Sequence, residues 1–275
     1  MNDRPVLWEL DARGVATVTL NRPAVNNAYN ADLVQGLLDT IDALSKPPKT
    51  SETPPDAPCE LRVVVLRGEG KHFQAGADLN WLQQVASQSA AENIAVSRAT
   101  AEAVHRLNNL PVPAVALVQG GCFGGGTGII AACDVVIAAD NALFSISETR
   151  WGLMAGIIIP QLNDAIGVRQ VRRYALTGER FGAEEARRIG LVHEVVPLAE
   201  LDAAGARVVD HLLQNAPEAN AQTKALAIEY GWGDVSTQRF SRIIEQHAAK
   251  RRSAEGGEGL ASFREKRPAS WYRGR

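Results

Sequence analysis

The residues with the clearest chemical capacity are glycines. Residues 118–134 read VQGGCFGGGTGIIAACD, with glycine at 120, 121, 124, 125, 126 and 128. Glycine has no Cβ, so such a run lets main chain approach a ligand closely. Where the run opens a helix, the first N–H groups have no intrahelical acceptor and point outward. They can hold a phosphate or stabilise a developing oxyanion. No Gly-Lys-Ser/Thr ending follows, which excludes a P-loop, and the spacing misses the dinucleotide fingerprint. Close helix–strand packing uses some of these glycines but hardly all six. A second small-residue stretch, FQAGADL at residues 73–79, again allows close approach of main chain. The third feature is Glu148, set in FSISETRWGLM among Ser145, Ile146, Ser147 and Trp151. A carboxylate in a partly apolar pocket has a raised pKa and exchanges protons near neutral pH. The competing reading is an exposed acid at a helix start with Ser147 as its N-cap.

These pieces need elements to position them. Residues 15–20 (VATVTL), 62–66 (RVVVL), 114–118 (AVALV) and 135–138 (VVIA) are β-branched runs bounded by turn residues and read as strands. Between them, residues 31–44 and 90–110 place apolar side chains three and four apart, the helical spacing. Strands separated by helices argue for βα crossovers and a largely parallel sheet. After Gly167 the pattern turns helical, over 170–177, 183–189, 198–213, 218–230 and 237–250, with only 191–196 reading as a strand. This part is either a small second domain or helices folded back over the sheet. Residues 46–60 (KPPKTSETPPDAPCE) carry five prolines and read as a surface insertion between a helix and a strand. EGGE at 255–258 reads as a flexible spot before a final charged helix.

Composition narrows the function classes. The 275 residues carry 29 Lys+Arg against 31 Asp+Glu, a net charge of -2, which argues against nucleic acid or a membrane surface as partner. Cys59, Cys122 and Cys133 are too scattered for a zinc site or a disulfide framework. The N-terminal residues show no continuous apolar leader, and no apolar run is long enough to span a bilayer. The expectation is a cytoplasmic α/β protein.

Taken in order, these motifs resemble the crotonase (enoyl-CoA hydratase/isomerase) superfamily. The resemblance runs from LNRP at 20–23 through FQAGADL, the glycine run and FSISETRWGL. It continues through LTGERFGAEEARRIGLVHEVVP at 176–197 and ends in GLASFREKR at 259–267. It implies a spiral of ββα units as catalytic core over residues 1–199. A helical C-terminal region over 200–275 would serve trimerisation, with trimers able to pair into hexamers. It implies an acyl-CoA substrate, no further cofactor and no metal. The thioester oxygen would be held by the N–H groups of Ala77 and Gly125. Gln74, Ala75, Asp78 and Leu79 would lie along the CoA, and Lys266 would reach a CoA phosphate on a neighbouring subunit.

The resemblance breaks at one place. Standard hydratases carry a glutamate in the Gly-rich helix and another further on, and here the first position is Gly128 while the second is retained as Glu148. The GGGxG helix, FxxSE and the run GIIIP at 156–160 are most similar to bacterial hydratases of branched glutaconyl-CoA esters (3-methylglutaconyl or isohexenylglutaconyl). Gly128 is expected to open volume for a branch, with Trp151 and Ile157–Ile159 lining or backing the acyl pocket. The resemblance therefore implies a hydratase of a branched 2-enoyl-CoA. The alternative is a Δ3,Δ2-enoyl-CoA isomerase with Glu148 as the single proton shuttle. His72 reads as a loop or CoA-facing residue and Cys122 as a small buried one. The basic pieces at 250–252 and 264–267 read as CoA contacts or a solvated face.

Overall fold

The computed structural model describes residues 4–45, 60–231 and 253–272, with isolated positions 238, 242, 244 and 249. The Pro-rich insertion at 46–59, the helix expected over 237–250 and the basic piece at 250–252 fall almost wholly outside the described residues.

A six-stranded sheet runs in the order β1 (Val6–Leu10), β2 (Val15–Leu20), β3 (Val63–Gly68), β4 (Ala114–Val118), β6 (Val135–Ala139), β9 (Glu194–Val196). Only the β1–β2 pair is antiparallel. Every residue of β4 is buried, as suits a central strand covered on both faces. A second sheet, β5 (Gly121–Phe123), β7 (Leu143–Ser145) and β8 (Phe181–Gly182), is made of short strands. Sequence periodicity could not show strands of two or three residues. Successive turns of the chain place one strand in each sheet: β4 then β5, β6 then β7. Single bridges Tyr29↔Ala77 and Gln74↔Cys122 tie the preceding turns to this second layer.

One face of the large sheet is covered by α1 (Ala31–Leu44), α3 (Ala90–Asn108), α4 (Gly125–Ala131) and α5 (Ile159–Thr177) around one cluster that includes Leu20, Leu66, Phe73 and Phe144. Asn30 caps α1, and Ser89 with Glu92 forms a capping box on α3. The predicted change of pattern at Gly167 is a break inside α5, where Gly167 takes φ 73°. The other face is covered by α7 (Leu201–Gln214), whose Leu201, Ala204, Val209 and Leu213 pack with Val63, Val115, Leu117 and Ile137. The expected boundary at 199/200 therefore cuts through a continuous core. The helical stretch begins as sheet cover, because α7 carries an apolar stripe that the sheet's second face buries. After α6 (Ala183–Ile189) and α7 come α8 (Pro217–Tyr230) and a C-terminal helix, Ala254–Glu265. Ser253 caps that helix, so EGGE lies within its first turns and not before it. No helix among the described residues is long and apolar enough to cross a membrane.

Candidate active site

Main-chain bonding brings two glycine-flanked segments together. Gln74 N–H donates to Gly121 O (3.1 Å) and Phe123 N–H to Gln74 O (2.9 Å), so 73–79 runs beside β5. Tyr29 N–H donates to Gly76 O and Asp78 N–H to Tyr29 O, both at 2.9 Å. The Ala77 N–H between them has no acceptor among the described residues. Gly125 opens α4, so its N–H has no acceptor within the helix. Gly120 and Gly124 take φ 58° and 51°; a Cβ on Gly120 would stand 2.2 Å from Lys71 O. Glycine is required there by both conformation and space.

Ala77, Gly125 and Glu148 line one cavity of about 790 Å³, together with Ala75, Leu79, Trp151, Tyr29 and Ile157. Glu148 begins a short 3-10 turn, Glu148–Trp151, at the end of the loop after β7. Ser147 stands at the N-cap position of that turn without a side-chain bond and Glu148 is only half-exposed, so Glu148 starts the turn but is not the exposed, Ser-capped acid of the competing reading. Glu148 Oε2 is buried and has no hydrogen-bond partner among the described residues. A Cβ on Gly124 would lie 3.2 Å from Glu148 Oε1, so the carboxylate stands over the glycine run. Burial raises the Glu148 pKa, opposed by a hydrogen bond from its own backbone. It is the only acidic residue lining the cavity among those described.

Several expected residues lie elsewhere or act differently. Gln74 is fully buried and does not line the cavity; its Oε1 accepts from Gly76 N–H at 2.9 Å. It is a strut for the loop that presents Ala77, because both its backbone groups are already bonded to β5. Asp78 caps α2 (Leu79–Ala86), accepting from Asn80 and Trp81 N–H, and pairs with Arg22 at 3.2 Å. Gly128 opens no volume: a Cβ there would stand 2.1 Å from Ile158 Cγ2, so Ile158 fills the space a side chain would need. Ile157 and Ile158 line the cavity, with Ile158 1% exposed. Trp151, 63% exposed, stands with Met154 on the cavity's wall. Lys266 is exposed at the end of the C-terminal helix with φ 53° and does not line this chain's cavity.

Other residues escaped sequence reasoning. Asn27 is fully buried with φ 56°; its Nδ2 donates to Glu69 O and His72 O, and its Oδ1 accepts from Arg22 N–H. Arg22 reaches from there to Asp78 and to Ala28 O. The LNRP motif signalled this corner without revealing that it braces the Ala77 loop. His72 Nδ1 accepts from Gly121 N–H (2.8 Å), a loop role; partial burial and Lys71 lower its pKa. Arg150 and Arg180 line the cavity, and Arg180 lies 5.3 Å over the Phe123 ring. No group of His, Cys, Asp or Glu among the described residues is placed to hold a metal ion.

Comparison with known proteins agrees over the full length of this fold. A crystal structure of an enoyl-CoA hydratase from Shewanella pealeana superposes with TM-score 0.88 at 33% identity, covering 97% of this chain and 96% of that one. A hydroxycinnamoyl-CoA hydratase-lyase of Pseudomonas fluorescens is 33% identical over 207 residues, 74% of this chain and 71% of the relative. A mevalonyl-coenzyme A hydratase of Aspergillus fumigatus is 30% identical over 260 residues, 94% and 91% of the two chains. The family model for enoyl-CoA hydratase/isomerase matches residues 11–274. With the Ala77 and Gly125 N–H groups and the Glu148 carboxylate around one cavity and this match across the chain, the protein belongs to the enoyl-CoA hydratase/isomerase family.

Proposed function

We propose that this protein is a hydratase of a branched, glutaconyl-type 2-enoyl-CoA thioester. The observation that carries the reading is the Glu148 carboxylate, its Oε2 buried and without a partner among the described residues, in the cavity shared by the Ala77 and Gly125 N–H groups. Those two N–H groups donate to the thioester carbonyl oxygen, which gains negative charge as the enolate forms. Glu148 takes a proton from water, the oxygen bonds to the β-carbon, and the alkene electron pair moves into the enolate. The proton then passes from Glu148 to the α-carbon. A raised pKa suits a group that must both take and give a proton near neutral pH.

Three observations support a branched acyl group. Mevalonyl-CoA is branched at its β-carbon, and a relative 30% identical to this chain is named mevalonyl-coenzyme A hydratase. The FSISE and GIIIP segments match the resemblance to branched glutaconyl-CoA hydratases. Arg150 and Arg180 place positive charge on the cavity wall, for the substrate's own carboxylate or for CoA phosphates. The space for the branch lies in the cavity beside Ile157, not at Gly128. The chain works as a self-assembly, with trimers or pairs of trimers built on its C-terminal part. Exposed Leu260 (59%) and Phe263 (84%) on the C-terminal helix support this. In that assembly Lys266 meets the CoA of a neighbouring subunit.

A second reading is favoured by the same single carboxylate: a Δ3,Δ2-enoyl-CoA isomerase in which Glu148 moves one proton between the α and γ carbons. Mass detection on linear, 3-methyl and 3-carboxymethyl 2-enoyl-CoAs separates the two, because hydration adds one water and isomerisation leaves mass unchanged. Greatest hydration of the 3-carboxymethyl ester is expected. Turnover of Δ3 esters without hydration of any 2-enoyl ester would replace the hydratase reading with the isomerase one. Turnover that survives Glu148→Ala would overturn both.

A further inference from the structure

With Gly128 closed off by Ile158, hydration lacks a second carboxylate to hold the reacting water. An ordered water in a protein site takes two to four polar partners, and Glu148 supplies one. A polar side chain of the same cavity with capacity to spare can supply another. Thr100 Oγ1 donates to Val96 O at 2.9 Å, and Ser145 Oγ donates to Gly178 O at 3.0 Å, so both hydroxyl protons are committed. The Tyr29 hydroxyl makes no hydrogen bond among the described residues, yet Tyr29 lines the cavity.

Its position is tightly determined. The Tyr29 main chain is bonded on both sides of Ala77, to Gly76 O and from Asp78 N–H, each at 2.9 Å. Its ring packs edge-on against Trp81, with centroids 5.6 Å apart. A Cβ on Gly125 would stand 2.7 Å from Tyr29 Cε1 and 3.4 Å from its hydroxyl oxygen. The ring therefore occupies space left by one glycine, while Glu148 stands over the preceding glycine, Gly124. The hydroxyl and the carboxylate face two successive residues of the same main chain.

We propose that Tyr29 is a catalytic residue for hydration: its phenol O–H hydrogen-bonds the water whose proton Glu148 removes. Glu148 takes that proton, the C–O bond forms at the β-carbon, and the proton is returned at the α-carbon while Tyr29 keeps its own. Burial, and the charge of Glu148, push the Tyr29 pKa up to about 12, so the phenol is a neutral donor at working pH. This inference rests on the hydratase reading and adds to it the group that holds the water.

Tyr29→Phe in the full-length protein tests it with two assays. One is hydration of the best ester from the acyl-CoA screen. The other is exchange of the α-protons of saturated butyryl-CoA in D2O, which needs Glu148 and the enolate donors but no attacking water. Hydration kcat is expected to fall about 10²-fold, with KM and α-proton exchange little changed. Unchanged hydration would overturn the assignment, and so would an equal fall in both assays, since the ring would then serve the enolate or the fold. Loss of hydration in Ser147→Ala but not in Tyr29→Phe would transfer the role to Ser147 and overturn it too. A wild-type protein that exchanges α-protons but hydrates no ester would refute the hydratase reading and this inference with it.

Discussion

Ile158 stands where a side chain at Gly128 would project, with its Cγ2 2.1 Å and its Cβ 2.5 Å from the position of a Cβ there. Ile158 is buried in the main core and opens onto the catalytic cavity, so the apolar residue takes the room of a first glutamate. Gly128→Ala is expected to destabilise the protein by about 1–3 kcal/mol through overpacking. Ile158→Ala alone should cost about 2–5 kcal/mol. The double variant should cost less than the sum, because the second change vacates what the first invades. Urea unfolding of the four proteins measures the coupling, and full additivity would contradict the contact.

Glu148 ties activity to stability with opposite signs. Glu148→Gln should lower kcat about 10²–10⁴-fold as a proton-transfer group is lost. Burial raises the carboxyl pKa, so the folded state binds this proton more tightly than the unfolded chain. Stability from this site therefore falls as pH rises from the unfolded carboxylate value through the folded one. The melting temperature of Glu148→Gln should exceed that of wild type above this window, and the gap should close below it. Thermal melts across pH decide the sign.

Gln74 is expected to act through the loop it supports. Gln74→Met keeps much of the volume but leaves Gly76 N–H without the acceptor now 2.9 Å away. The loss should be about 1–3 kcal/mol of stability, with a lower kcat as the Ala77 N–H moves. A raised KM for CoA esters with stability untouched would instead mark a ligand contact.

Asp78 makes an ordered pair of predictions. Asp78→Ala removes the cap of α2 and the Arg22 partner together, and should cost about 1 kcal/mol or somewhat more. Asp78→Asn keeps an accepting cap oxygen and should cost less. Denaturant midpoints of the two variants test the order.

The local elements were legible because their signals are local. Ala31–Leu44 and Ala183–Ile189 appear at the bounds that their apolar spacing predicts, and β4 at the bounds of its β-branched run. The glycine run stood out by composition, whereas FQAGADL and Glu148 drew their weight from their order in the family resemblance, because a small-residue loop or a lone acid is common on its own. Residue type could not say which glycine faces ligand and which faces protein. Gly125 meets the cavity and Gly128 meets Ile158, although both lie on one short helix. Nor could it show that Gln74 and Asp78 are held by protein partners and do not line the cavity, or that Tyr29 arrives beside Gly125 from nearly a hundred residues upstream. α7 likewise looked like the start of a separate region until its apolar stripe met the sheet. Propensity and spacing are properties of neighbours along the chain. The side chain that fills a given volume is decided by packing between segments distant in sequence, and only the tertiary structure contains that choice.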